Sequence, residues 1–221
     1  MALLEVRGES AGYAENVVLS DLNFSIDPGE RVALVGESGA GKSTLLRMIY
    51  DRCSDFAALV PQNLGLVQAL TVFHNVYMGR LHDRSLIRNF RNLLWPRGED
   101  ASEVEDVLKM LRLEEKLFSN VGELSGGQQQ RTAVGRALYN PGKLFIADEP
   151  VSSVDEHQAK QILETISREK ETVVVAMHDR ALAIDYCDRL IGIKGGRVTI
   201  DEPSAGMKPG ELDELYRVSD E

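Results

Sequence analysis

Nine residues, Gly36 to Thr44 (GESGAGKST), carry the chain's clearest chemical signal. They match G-x-x-x-x-G-K-[ST], directly after the apolar run Val32 to Val35 and directly before Leu45-Leu46-Arg47-Met48. Glycines at 36, 39 and 41 let the backbone turn tightly enough for successive N–H groups to face phosphate oxygens, and the following helix adds the positive end of its dipole. In such a loop Glu37, Ser38 and Ala40 contribute backbone, Lys42 places a point charge on the β- and γ-phosphates, Ser43 supplies a hydroxyl to Mg²⁺, and Thr44 opens the helix.

A second set of residues is placed to complete that chemistry. The run Leu144 to Ala147 reads as a buried strand ending in Asp148-Glu149, two adjacent carboxylates. Asp148 is placed to hold Mg²⁺ through water and Glu149 to polarise an attacking water. Another apolar strand, Thr172 to Met177, runs straight into His178. Between the two carboxylates and the glycine loop stands LSGGQQQR, Leu124 to Arg131, where Ser125 begins a helix with Gly126 and Gly127 in its first turn, so that N–H groups and a hydroxyl are again available to an anion.

With GESGAGKST, LSGGQQQR, LFIADEP and His178 in this order, the chain resembles the ATP-binding-cassette (ABC) ATPases over essentially its whole length. The resemblance implies an α/β P-loop NTPase core, a small antiparallel β flank and an α-helical subdomain bearing LSGGQ. It also implies an ATPase with ATP and Mg²⁺ as cofactors. Residue by residue, it makes Glu149 the general base, Gln62 of LVPQ a bridge between Mg²⁺ and water, and His178 a γ-phosphate contact. Tyr13 is the aromatic that stacks on adenine, Ser125, Gly126, Gly127 and Gln128 meet the γ-phosphate held by another cassette, and Asp155 communicates across the dimer. ATP is then glued between two copies placed head to tail.

The elements that must position these residues are legible in part. Residues 1–62 and 140–200 read as the nucleotide-binding core, 63–139 as the helical subdomain and 201–221 as a short C-terminal extension, all within one domain. Leu3 to Ile26 alternates as a β-rich flank, and SIDPGE (Ser25 to Glu30) turns into the strand before the glycine loop. The spacing of Val104, Val107, Leu108, Leu111, Leu113 and Leu117 predicts an amphipathic helix from Val104 to Phe118. In the C-terminal stretch, Leu212, Leu215 and Tyr216 predict a closing helical turn or two with no chemical role.

Two departures from the family pattern stand out. Lys42 and Gln62 lie close together, so much of a hairpin of the β flank is expected to be missing. SSVD replaces the more usual leucine before Asp155.

Composition limits the function. A formal charge of −10 disfavours nucleic acid as a partner. No window approaches the ~18 to 20 consecutive apolar residues needed to cross a bilayer, and MALLEVRGES has no leader pattern. Cys53 and Cys187, outside any C-x-x-C, suit small semi-buried side chains in a reducing compartment.

The resemblance therefore implies a peripheral subunit on the cytoplasmic face of the inner membrane. Its partners would be transmembrane permease subunits and, through them, an extracytoplasmic solute-binding protein. A soluble cassette acting as a switch in a non-transport complex is the alternative. After Gln62, NLGLVQALTVFHNVYMGRL resembles the part of importer ATPases that receives a short helix from the membrane subunit; its apolar residues Leu64, Leu66, Val67, Leu70 and Val72 line such a groove or, for about half of them, belong to the core of the helical subdomain. Next, RSLIRNFRNLLWPRGED (Arg84 to Asp100) sets arginines beside Phe90 and Trp95 in an acidic chain. It resembles the insert of phosphonate importer ATPases; a solvated helix with incidental arginines and a patch facing anionic lipid headgroups are the other readings.

Overall fold

The computed structural model describes residues 2–13, 16–96 and 98–216, with the side chain of Tyr13 outside the description. Two long strands, β1 (Leu4–Tyr13) and β2 (Asn16–Ile26), pair antiparallel as a separate two-stranded sheet. The main sheet is built from β3 (Arg31–Val35), β4 (Ala57–Val60), β5 (Leu144–Asp148), β6 (Thr172–Ala176), β7 (Arg189–Lys194) and β8 (Arg197–Pro203). Its order is β4-β5-β6-β3-β7-β8, parallel throughout except for the β7–β8 edge pair.

The central strands are apolar on both faces because both faces are covered. Val32, Leu34, Ile146, Val174 and Ile191 face α1 (Lys42–Cys53) and the β1–β2 sheet, where Leu45, Ile49, Leu19, Leu22 and Ile26 close one core. Ala33, Val35, Phe145, Ala147 and Val175 face the other way, against α5 (Gly126–Tyr139), α6 (Glu156–Glu169) and α7 (Arg180–Tyr186). A third core lies away from the sheet. There α2 (Val72–Tyr77) and α4 (Gly98–Met110) bury Phe73, Val76, Val104 and Leu108 against Leu113, Val121 and Tyr139. Helix α3 (Leu86–Leu94) joins that helical layer.

The β flank is trimmed as the short Lys42 to Gln62 distance implies: α1 passes through a turn at residues 54–56 directly into β4, with Phe56 N–H returning to the Cys53 carbonyl at 3.0 Å. The expected helix from Val104 to Phe118 is a correction. It starts at Gly98 and stops at Met110, where Arg112 adopts φ 51°. Arg112 N–H bonds Lys109 O at 3.1 Å and Leu113 N–H bonds Leu108 O at 3.0 Å, which is a Schellman stop with arginine in place of the usual glycine. Leu111, Leu113 and Leu117 keep their apolar periodicity because they pack on the same cores after the helix has ended.

Candidate active site

The sheet brings three functional segments to one edge, at the carboxyl ends of adjacent parallel strands, where open α/β sheets place ligands. Gly36 follows β3, Asp148 closes β5, and His178 follows β6. In register, Asp148 pairs with Ala176 and Leu34 with Ala176 on the other side.

The glycine loop has the backbone its sequence demands. Gly36, Gly39 and Gly41 have φ of 146°, 82° and 108°. A side chain at Gly36 would meet the Ile193 carbonyl at 2.3 Å, and one at Gly41 would meet Leu19 Cδ2 at 2.5 Å. Gly41 caps α1 without a side-chain acceptor, and the first turn carries no acid, so the leading N–H groups of the helix face the loop uncapped. That is a fit for a phosphate chain. Lys42 folds back into the loop, with Nζ donating to Gly36 O at 2.7 Å and Glu37 O at 2.8 Å. Its pKa is lowered by burial, which the nearby Glu149 and Asp148 carboxylates partly oppose.

A cavity of about 390 Å³ lies over this loop, lined by Ser38, Lys42, Ser43, Gln62, Glu149 and His178 among others. An adjoining cavity of about 690 Å³ shares Ser43, Gln62 and Asp148 and extends past Gly12, Leu46 and Arg47. Ser43 and Asp148 are suited to a hard cation: Mg²⁺ takes one or two protein oxygens and completes its shell with phosphate oxygens and water. The described residues contain no group of three His, Cys, Asp or Glu poised for a metal.

Glu149 and His178 meet directly, with Nε2 2.7 Å from Oε1. Glu149 sits at φ 55°, a left-handed conformation that its neighbours enforce. Its N–H donates to Ala176 O at 3.1 Å, and its carbonyl accepts from Gln130 Nε2 at 2.6 Å.

Other sequence-identified residues lie elsewhere. Ser125 caps α5 in a reciprocal box, its Oγ accepting from Gln128 N–H at 3.4 Å while its own N–H donates to Gln128 Oε1 at 3.0 Å. Ser125, Gly126, Gly127 and Gln128 line neither cavity at the glycine loop. Asp155 caps α6, accepting from Gln158 N–H at 2.9 Å, and that backbone hydrogen bond leads the causes holding its carboxyl below the ordinary range. It lines a separate cavity of about 240 Å³ with Arg131 and Gln158.

The loop, the acid pair and the helix-capped LSGGQ end stand on one α/β sheet, and a model of the ABC transporter family matches residues 19–57 and 54–152. The chain belongs to this family.

Among similar ABC proteins, the phosphonates import ATP-binding protein PhnC of Rhizobium johnstonii is 32% identical over 97% of this chain and 86% of its own length. PhnC 1 of Oceanobacillus iheyensis is 34% identical over 90% of this chain and 87% of its own. Among solved structures, an ATP-binding subunit of an ABC transporter superposes with a TM-score of 0.75 at 27% identity, covering 96% of this chain and 97% of that one. The ATP-binding cassette MJ0796, in a dimeric post-hydrolysis state bound to ADP and Pi, gives 0.76 at 28%, covering 92% and 99%.

Within this ABC cassette, three features escape sequence reasoning. Gln130 is buried and spans two elements: besides the Glu149 carbonyl, its Oε1 accepts from Ser153 N–H at 2.7 Å. The third glutamine of LSGGQQQR was visible, but nothing in its spacing marks its partner. Tyr216, in the closing 3₁₀ segment Pro209–Tyr216, accepts at its hydroxyl from Gly36 N–H at 3.2 Å, so the C-terminal segment reaches the glycine loop. Finally, the apolar residues after Gln62 divide between core and surface: Val72 is fully buried, Leu64, Leu66 and Leu70 are half-buried, and Val67 is exposed. A further cavity of about 500 Å³ is walled by Tyr50, Asp55, Met78, His82, Arg136 and Asn140.

Proposed function

We propose that this ABC cassette hydrolyses Mg²⁺-ATP as the motor subunit of a membrane importer, working as a head-to-tail homodimer, with a phosphonate or related small oxyanion as cargo. The observation that carries the catalytic part is the Glu149–His178 contact at 2.7 Å beside a lysine that donates to two loop carbonyls. Phosphoryl transfer needs positioning and charge more than covalent chemistry from the protein. Lys42 exchanges its two carbonyl acceptors for β- and γ-phosphate oxygens, and the uncapped head of α1 receives the phosphate chain. Ser43 and Asp148 would hold Mg²⁺, which would supply charge neutralisation at those phosphates. Glu149 accepts the proton of the attacking water, His178 holds the Glu149 carboxylate toward the γ-phosphate, and Gln62 would bridge that water to Mg²⁺.

The Ser125-Gly126-Gly127 end supports the dimer. It is a phosphate-binding helix head that the chain's own nucleotide cavity does not use, which suits a γ-phosphate held by a second copy, as does the dimeric form of the similar cassette MJ0796. Cargo and direction rest on the names of relatives, several of which are phosphonate import proteins. Among the described residues no helix is long and apolar enough to cross a membrane, so permease subunits, with a solute-binding protein beyond them, would supply the path.

Growth tests the cargo. A strain lacking this chain is expected to lose growth on methylphosphonate as sole phosphorus source while growing on inorganic phosphate. The wild-type chain restores growth and Lys42→Ala does not. Undiminished growth of the deletion strain on several phosphonates would sink the cargo assignment without touching the ATPase reading.

A further inference from the structure

Helix α3 is amphipathic with its polar side turned inward. Arg88 forks onto Asp100 of α4, with Nε at 3.0 and 3.1 Å from the two carboxylate oxygens. Asn92 Nδ2 donates to the same carboxylate at 2.8 Å, and Asn89 accepts from the Tyr77 hydroxyl at 3.0 Å. Asn92 and Asp100 are both fully buried. At about 100° per residue, Leu93, Leu86, Phe90, Leu94 and Ile87 fill an arc of roughly 120° on the opposite side. That arc faces solvent: Leu86 is 87% exposed, Ile87 76%, Phe90 64%, and Trp95 at the helix end 76%. A surface helix of a water-soluble protein is ordinarily oriented the other way. Rolling α3 to hide its leucines would strip the buried Asp100 carboxylate of Arg88 and Asn92, so the orientation is fixed by that network.

The chemistry of the ridge selects its occupant. No α3 residue lines any of the cavities described above. A bilayer accepts protruding side chains without a matching socket. Leucine, isoleucine and phenylalanine on one face with a tryptophan at the end is the composition of a helix lying in the membrane interface. Charge agrees as well. Helix α3 carries no acid, and with Arg88 committed to Asp100 it is exposed Arg91 that borders the apolar arc where anionic headgroups would lie.

We propose that α3 is an interfacial anchor that seats the helical subdomain on an anionic lipid surface, binding the bilayer without help from a permease. This goes beyond the transport reading and does not depend on it.

Trp95 is the sole tryptophan, so its emission reports on the ridge directly. The full chain is titrated with phosphatidylcholine vesicles, with and without phosphatidylglycerol, and binding is read by Trp95 emission and by co-sedimentation. The expected result is a blue shift and co-sedimentation with phosphatidylglycerol vesicles. Arg91→Glu should weaken binding about tenfold. The pair Ile87→Glu and Phe90→Glu should abolish it while leaving the thermal midpoint and ATPase rate of the unbound protein unchanged. No shift and no co-sedimentation of wild type at lipid excess overturns the proposal. So does a shift that follows protein concentration without vesicles, which assigns the ridge to a second copy, and so does full binding by a folded double variant.

Discussion

Gln130 holds the backbone on both sides of a turn, donating to the Glu149 carbonyl at 2.6 Å and accepting from Ser153 N–H at 2.7 Å. One amide in the helix of LSGGQQQR thereby fixes left-handed Glu149, the residue proposed as general base. Gln130→Ala is expected to lower kcat about tenfold or more with little change in KM for ATP, because it loosens the base and not the phosphate cradle. Steady-state kinetics separate the two; a rise in KM alone would assign Gln130 to binding. Lys170 gives a pH signature. Burial, with Arg80 nearby, lowers its pKa from the ordinary 10.5 to about 8. Between those values the unfolded chain binds the extra proton, so stability rises with pH as the penalty of the buried charge is relieved. Cys187 acts oppositely. Burial pushes its thiol from 9.0 to about 12, so from 9 upward the unfolded chain loses a proton that the folded chain keeps, and stability falls. Denaturant unfolding should therefore show stability rising from pH 8 to 9, a rise that Lys170→Met removes; an unchanged slope in the variant would contradict the assignment.

At the scale of elements, legibility followed local chemistry. The start of α5 was readable from Ser125, a residue type that caps helices, and the structure adds the reciprocal bond from Gln128 three residues on. Ser125→Ala should cost about 1 kcal/mol in the nucleotide-free protein, lowering the thermal midpoint by roughly 2–4 °C. Calorimetry reads it, and no change would mean the cap contributes nothing. The glycine loop and both carboxylates were legible for the same reason: strand, turn and helix are adjacent in sequence. The end of α4 was not, because Arg112 takes a left-handed conformation that composition does not announce and the leucines beyond it keep a helical rhythm in the core. Nor was the Tyr216 contact, which joins Gly36 to a residue far along the chain through tertiary packing of Leu212 and Leu215. The division of Leu64, Leu66, Val67, Leu70 and Val72 between core and surface is not legible either, because five apolar side chains in sequence do not reveal which face they present.

For the molecule as a whole, the arrangement separates the two helix starts proposed to bind phosphate. One, at α1, opens into the cavity with Glu149 and His178; the other, at α5, lines neither nucleotide cavity. That separation is why a single chain holds one of each and why the account requires a second copy to close the site. The central claim is accordingly tested by measuring Mg²⁺-ATP hydrolysis of the purified chain beside Glu149→Gln, with mass followed by light scattering. The account predicts hydrolysis by wild type, a loss of roughly 10²- to 10⁴-fold in the variant, and an ATP-dependent dimer that the variant traps. Wild-type hydrolysis at the same rate in Glu149→Gln, or a variant that binds ATP and stays monomeric, would contradict it.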